Sequence, residues 1–355
     1  MSQGPLIVQS DRTVLLETDH ADATTARHEL AIFAELERAP EHIHTYRITK
    51  LGLWNARAAG HTAEYILSSL RKWSKFDIPQ LVSSEIENTI ARFGKLEIAR
   101  DDQGLILTSD SRAVLAEVSS NSKVAELLEG EIENGYRVRD WARGALKQQL
   151  LKLGWPANDN AGYTKGAPYP IELNQQNWSL RGYQREAADK FELGGSGVVV
   201  LPCGAGKTMV GAAIMADVKA NTLILVTNTV AARQWRDELL EKTSLTEEDI
   251  AEYSGSSKNL GPVTIATYQI LTTKRKNEFT HLALLNARDW GLIIYDEVHL
   301  LPAPIFKMTA DLQARRRLGL TATLVREDGR ESDVFSLIGP KRFDAPWKDI
   351  EAQGY

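Results

Sequence analysis

Val198-Val-Val-Leu-Pro-Cys-Gly-Ala-Gly-Lys-Thr208 is the stretch on which the fold of this chain turns. A β-branched run feeds a glycine-rich loop ending in Lys207-Thr208, and Met209, Val210, Ala213 and Ile214 follow at helical spacing. Strand, loop and helix in that order build a phosphate cradle, because backbone N–H groups around residues 204–207 face an anion with a helix N-terminus behind them. Lys207 can reach the β- and γ-phosphates of a nucleotide, and the Thr208 hydroxyl can ligate Mg²⁺. Pro202, Cys203, Gly204, Ala205, Gly206 and Met209 complete the expected nucleotide-contacting loop. Leu201 stands where the generic G-x-x-x-x-G-K-[ST] pattern has its first Gly. Taken alone, the loop could also be a chance glycine turn before a core helix.

A second stretch makes that alternative weak. Gly291-Leu-Ile-Ile-Tyr295 is a continuous apolar run without alternation, as expected of a strand buried on both faces. Asp296-Glu-Val-His299 stands where that strand emerges. A carboxylate at the end of a parallel strand, beside a phosphate loop, can hold Mg²⁺ through water. Glu297 is then placed to orient and deprotonate an attacking water, the positioning role that phosphoryl transfer needs. Lys207, Asp296, Glu297 and His299 are therefore the catalytic candidates, with Thr208, Asp296 and Glu297 as the metal set.

Composition narrows the class. The 355 residues, 43% hydrophobic and 25% charged, suit two or three domains with cores of their own. A net charge of −5 excludes a globally basic nucleic-acid binder. DNA contacts must then come from a local groove, through hydroxyls, amides and helix N-termini. The lone cysteine, Cys203, excludes a disulfide framework and points to a reducing, cytoplasmic setting. No apolar run approaches a membrane span, and no export signal opens the chain.

Residues 154–177, with Gly154, Pro156, Gly162, Gly166, Pro168 and Pro170, form the clearest linker, its core being 161–177. Upstream, Ile66, Leu70 and Trp73 share one face of a helix over 62–74. A second helix begins near Pro79, carries Val82, Ile86, Ile90 and Phe93, and stops at Gly94. Leu96, Ile98, a turn at residues 101–104, Leu105 and Leu107 then predict a hairpin. Helix, helix, hairpin is the outline of a winged helix, able to enter a DNA groove or to dock a protein, since few basic residues crowd the second helix. Residues 111–160 form a further small α+β unit, with a helix from Asp140 to Leu153 capped by Gly154. Beyond residue 178, strands at 198–201, 223–226, 263–266, 292–295 and 318–320 alternate with helices. That order predicts an α/β domain with a parallel sheet covered on both faces.

Further candidates sit at strand ends. Leu180-Arg-Gly-Tyr-Gln184 precedes the loop by one helix; Arg181 and Gln184 join the nucleotide set, the Gln amide being able to pair with adenine. Thr227 and Asn228 follow the second strand, Thr267 and Tyr268 the third, and Thr321 and Thr323 the fifth. These are candidates for a DNA backbone or for coupling, although helix capping is an equally ordinary use of the same residues.

In order and in wording these pieces resemble the XPB helicases of superfamily two. The resemblance rests on Leu-Pro-Cys-Gly-Ala-Gly-Lys (201–207), Asp-Glu-Val-His (296–299) and Leu-Gly-Leu-Thr-Ala-Thr-Leu-Val-Arg-Glu-Asp (318–328). That family also carries Leu at the first loop position. Arg326, Glu327 and Asp328 resemble its Arg-Glu-Asp motif, implicated in duplex separation. Upstream, His44-Thr-Tyr-Arg-Ile48 and Phe93-Gly94-Lys95 fit its N-terminal domain, and 111–160 occupies the place of its damage-recognition domain. The resemblance implies a P-loop, RecA-like domain over 178–348, preceded by a winged-helix-like module (1–110) and a damage-recognition-like unit (111–160). It also implies ATP and Mg²⁺ as ligands, and 3′-to-5′ motion on single-stranded or forked DNA in nucleotide excision repair beside a repair nuclease. The family has two such lobes with ATP between them; one is expected here, with 349–355 leading toward the other. An arginine finger contributes roughly 10³–10⁵ in rate, so feeble hydrolysis without translocation is expected of this chain. Two other classes share the motifs: a translocase subunit of a restriction machine, and a nucleotide-gated docking module that recruits a nuclease through residues 1–150.

Overall fold

The computed structural model describes residues 4–255, 257–275, 278, 279, 281, 284, 285, 287–302, 305, 309, 312, 313, 315–323, 331–345 and 350. It divides into two compact units, Met1–Val138 with Gln149–Asn160, and Arg139–Gln148 with Ala161–Tyr355.

The first unit opens with β1 (Leu6–Val8), β2 (Thr13–Glu17), α1 (Ala23–Leu30), β3 (Ala34–Arg38) and β4 (Ile43–Ile48), an antiparallel sheet in the order β1-β2-β4-β3. Helices α2 (Lys50–Ala58), α3 (Ala63–Trp73) and α4 (Gln80–Arg92) follow. Thr49 and Thr62 cap α2 and α3 by accepting from the N–H of Gly52 and Tyr65, which satisfies donors that a helix start otherwise leaves bare. Ile66 and Leu70 of α3 and Val82, Ile86 and Ile90 of α4 are buried in one core, as their spacing predicts. The hairpin is β5 (Glu97–Asp101) and β6 (Gly104–Thr108).

It is not a free wing. After α5 (Arg112–Ser119) and α6 (Ser122–Ala125), β7 (Leu128–Ile132) and β8 (Gly135–Val138) continue the same sheet, with β9 (Asn158–Asp159) on its other side, in the order β7-β8-β6-β5-β9. The boundary expected at 110/111 therefore runs through one sheet. The open edge of β6 carries unpaired N–H and C=O groups, and β8 satisfies them; local hydrophobic pattern does not encode which strand does so. The expected terminal helix is α7 (Arg143–Lys152), and Gly154 closes it with φ +80°.

In the second unit, residues 161–177 are more than a linker. Ile171 is fully buried in its core, and Pro168 and Leu173 bridge to Ala220 and Thr243. The remaining order is α8 (Gly182–Gly194), β10 (Ser196–Val200), α9 (Lys207–Val218), β11 (Thr222–Val226), α10 (Thr229–Lys242), β12 (Ile250–Tyr253), β13 (Val263–Thr267) and α11 (Tyr268–Thr272). A two-residue ribbon, β14 (Lys274–Arg275) with β15 (Glu278–Phe279), precedes β16 (Leu292–Asp296), β17 (Arg316–Thr321) and β18 (Lys341–Asp344). Seven strands form one parallel sheet, β12-β13-β11-β16-β17-β10-β18.

Successive strand side chains serve opposite faces. Val199 and Leu201 join the core beneath α8, α9 and α10, while Val198 and Val200 join the core around Trp290, Leu301 and Leu337. A strand covered on both faces must be apolar throughout, which is why 198–201 and 292–295 do not alternate. The sheet is RecA-like, as expected. Two edge strands, β12 and β18, escape the pattern because they carry Glu252, Lys341, Arg342 and Asp344 on partly exposed edges. Among the described residues no helix is long and apolar enough to cross a membrane.

Candidate nucleotide-binding site

Strands β16, β17 and β10 are neighbours, so the ends of all three stand side by side. In an open parallel sheet that is where a ligand crevice forms. The phosphate loop follows β10, Asp296 ends β16 and Thr321 ends β17.

The loop is built to present backbone N–H groups. Gly204 and Gly206 adopt φ +81° and +74°, conformations that a side chain disfavours. No protein acceptor for the N–H groups of Gly204, Gly206, Lys207 and Thr208 occurs among the described residues, and Gly206 starts α9 without a side-chain cap. Four donors at one helix N-terminus, with Lys207 and the Thr208 hydroxyl, suit a polyphosphate. Leu201 explains its own departure from the generic pattern. It is fully buried in the core, its N–H donates to Thr321 O at 2.9 Å and it shows no positive φ. Nothing at that position demands glycine.

Lys207 Nζ lies 3.2 Å from Glu297 Oε1, with the two side chains 11% and 27% exposed. Glu297 itself holds φ +47°, rare for a residue with a side chain, and such strain persists where surrounding structure imposes it. Asp296 is held on three sides. Trp235 Nε1 donates to its Oδ2 at 2.9 Å, the Glu297 N–H donates to its Oδ1 at 3.1 Å, and the Tyr268 hydroxyl donates to its carbonyl at 2.7 Å. Burial pushes the Asp296 carboxyl above the usual aspartate range; Glu297 adds to the rise, while Trp235 and Lys207 oppose it. His299 Nδ1 lies 2.7 Å from Thr321 Oγ1 and 3.4 Å from Glu297 Oε2. Because Thr321 Oγ1 donates to Thr323 O, the bond to Thr321 requires the proton on His299 Nδ1.

Gln184 is 4% exposed and both ends of its amide are in use. Its Oε1 accepts from the Arg181 N–H at 3.0 Å, and its Nε2 donates to Ala205 O at 3.1 Å. Tyr183, which receives a bond from Arg181 Nη1, donates to that same carbonyl at 2.8 Å. Here the expected adenine sensor braces the phosphate loop. Asn228 and Thr267 act as helix caps, accepting from Ala231 N at 2.9 Å and Ile270 N at 3.4 Å, and Asn228 Nδ2 donates to Thr227 Oγ1. Arg326, Glu327 and Asp328 lie outside the described residues. Pro202 is half-buried and Cys203 exposed in the loop, and Met209 lies in the first turn of α9.

Two family profiles match the chain: one described as a helicase conserved C-terminal domain over residues 6–133, the other as the res subunit of type III restriction enzymes over 177–326. The DNA 3′-5′ helicase XPB of Kineococcus radiotolerans is 65% identical across the whole chain, and its namesake in Mycobacterium tuberculosis 63%. The chain belongs to the XPB helicase family. It spans 64% and 65% of the length of those two relatives. The general transcription and DNA repair factor IIH helicase/translocase subunit XPB of Enterocytozoon bieneusi is 29% identical over 99% of this chain and 61% of its own length.

Within this XPB-type site, Trp235 is the residue that sequence motifs missed. It lies on α10, seven residues after the Asn228 cap, and is 2% exposed. Its single polar atom touches the side chain of Asp296, and Tyr268, next to the Thr267 cap, touches the main chain of the same residue. Trp235→Phe keeps most of the packing and removes the bond that favours the ionised carboxylate. A metal requires that ionised form, so magnesium-dependent nucleotide binding should weaken as pH falls through the raised Asp296 value. In Trp235→Phe this acid limb should move to higher pH. A pH series of binding titrations measures it; an unmoved limb would show that the indole does not act on Asp296.

Proposed function

We propose that this chain is the ATP- and DNA-binding part of a 3′-to-5′ DNA helicase or translocase that works in nucleotide excision repair. The observation that carries the proposal is the convergence of Lys207, Glu297, Asp296 and Thr321 at three adjacent strand ends. The N–H groups of residues 204 and 206–208 receive phosphate oxygens, and Lys207 exchanges Glu297 for the β- and γ-phosphates. Thr208 and the two carboxylates fit the donor set of Mg²⁺, which binds through one or two carboxylates plus phosphate oxygens. When bound, the ion neutralises phosphate charge. Glu297, released by Lys207, orients a water in line with the γ-phosphate and accepts its proton. His299 and Thr321 link that event to the strand end, where Thr323 faces the DNA in this reading; Arg326, Glu327 and Asp328 are assigned to duplex separation by the family resemblance alone. Thr227, Asn228, Thr267 and Tyr268 add contacts to the backbone of a single strand.

Turnover by this chain alone is feeble in the same proposal. A repair nuclease is the proposed partner and the nucleoid the proposed location; the repair role is in keeping with the name of the factor IIH relative. ATP hydrolysis measured with and without single-stranded DNA tests the enzyme reading. The rate should rise with DNA. A rate unchanged by DNA and by substitution of Lys207 would favour a docking module instead.

A further inference from the structure

The first unit contains two adjoining cavities, of about 470 and about 200 Å³, that share Asn88 and Arg92 of α4. The larger is also lined by Lys95, Ser111 and Trp155, and the smaller by Arg12, Lys50, Trp54 and one acid, Glu85. Four cations from segments far apart in sequence thus meet along one groove, on a chain whose net charge is −5.

Three of the four make no ion pair among the described residues. Arg12 lies 3.5 Å from Glu85, but Lys50, Arg92 and Lys95 have no carboxylate partner among the described residues. Surface cations on an acidic protein ordinarily find acids, as Lys72, Lys75 and Arg137 do in this same unit. Concentrating unpaired cations costs self-repulsion, which an arriving polyanion relieves.

The groove also has an aromatic floor. The Trp155 indole is partly exposed, with the Arg92 guanidinium 4.9 Å above its ring. Its Nε1 donates to Glu117 Oε1 at 2.9 Å, which fixes the ring plane. Gly154, with φ +80°, leaves the space beside Arg92 open; a Cβ there would lie 3.2 Å from Arg92 Nη1. A fixed indole beside a row of cations is the combination that holds a single-stranded nucleic acid, base on ring and phosphates on the cations.

We propose that this groove is a second nucleic-acid site, which takes a single strand with phosphates on Lys50, Arg92 and Lys95 and one base against Trp155. It rests on the reading of the protein as one that works on DNA, and gives the first unit its own hold on the strand. An acidic peptide would use the cations but has no use for the indole, so the single strand fits better.

The test is fluorescence-anisotropy titration of labelled oligo-dT, and of oligo-U in parallel, with the full chain and no nucleotide present. Arg92→Glu with Lys95→Glu should weaken binding at least about tenfold. It should also flatten the log–log salt dependence by roughly 0.7 per lost phosphate contact. Trp155→Ala should weaken it roughly five- to a hundredfold, while Arg92→Lys retains most of the affinity. Preference for oligo-dT or oligo-U identifies which polymer is held. Equal affinity and equal salt slope in the charge-reversed variant, with unchanged thermal unfolding, would overturn the site. So would displacement by polyglutamate as effective as by oligo-dT. ATP binding measured on the same variants separates the two proposals. Its loss in the unaltered chain would sink the helicase reading alone, and its retention beside weakened DNA binding would isolate the groove.

Discussion

Glu297→Gln is expected to hold ATP at least as tightly as the unaltered chain while losing roughly 10²–10⁴-fold in the rate of hydrolysis, the contribution a positioned base makes. The two halves of this expectation have separate causes. Without nucleotide, Glu297 occupies Lys207 at 3.2 Å, and phosphate must displace it. The amide is a weaker competitor, so binding is unharmed or improved. Turnover suffers because a neutral amide can still orient water but cannot take its proton. Single-turnover hydrolysis with the chain in excess over ATP measures the loss even from a slow starting rate. A parallel fall in affinity and rate would mean that Glu297 organises the empty site rather than acting on water.

Lys207→Ala is the second large effect, and it falls on binding. The substitution removes the ammonium that follows the phosphate loop and pairs with Glu297. It also leaves Glu297 uncompensated next to Asp296, whose ionisation Glu297 already opposes. A charged hydrogen bond contributes about 1.5–3 kcal/mol, so ATP affinity should fall roughly ten- to a hundredfold. The loop's N–H donors remain, so residual binding is expected. Titration with a fluorescent ATP analogue reads the change. Affinity within about twofold of the unaltered chain would place the triphosphate somewhere else.

The features legible in the sequence are those that repeat or are chemically expensive. The strands at 198–201 and 292–295 are apolar because both of their faces are covered, and the glycines at 204 and 206 are there because the backbone needs positive φ. Neither β12 nor β18 was legible, because an edge strand keeps charged residues. Pairing was hidden as well: nothing local to residues 104–108 names residues 135–138 as their partner. Side-chain roles were harder still. Gln184 carries a group suited to adenine, yet its oxygen and nitrogen are turned to Arg181 and Ala205. Trp235 looks like an ordinary core tryptophan, and only its one bond to Asp296 says otherwise. The groove of Lys50, Arg92, Lys95 and Trp155 is assembled from three segments, so the sparse basic content of α4 alone concealed it.

Isothermal calorimetry of ATP titrated into the folded chain, with magnesium and then with the metal chelated, bears most directly on the pocket at the ends of β10, β16 and β17. One saturable site that needs magnesium is the expected result. Folded protein that takes up no nucleotide, or takes it up equally well without the metal, would contradict the assignment of that pocket.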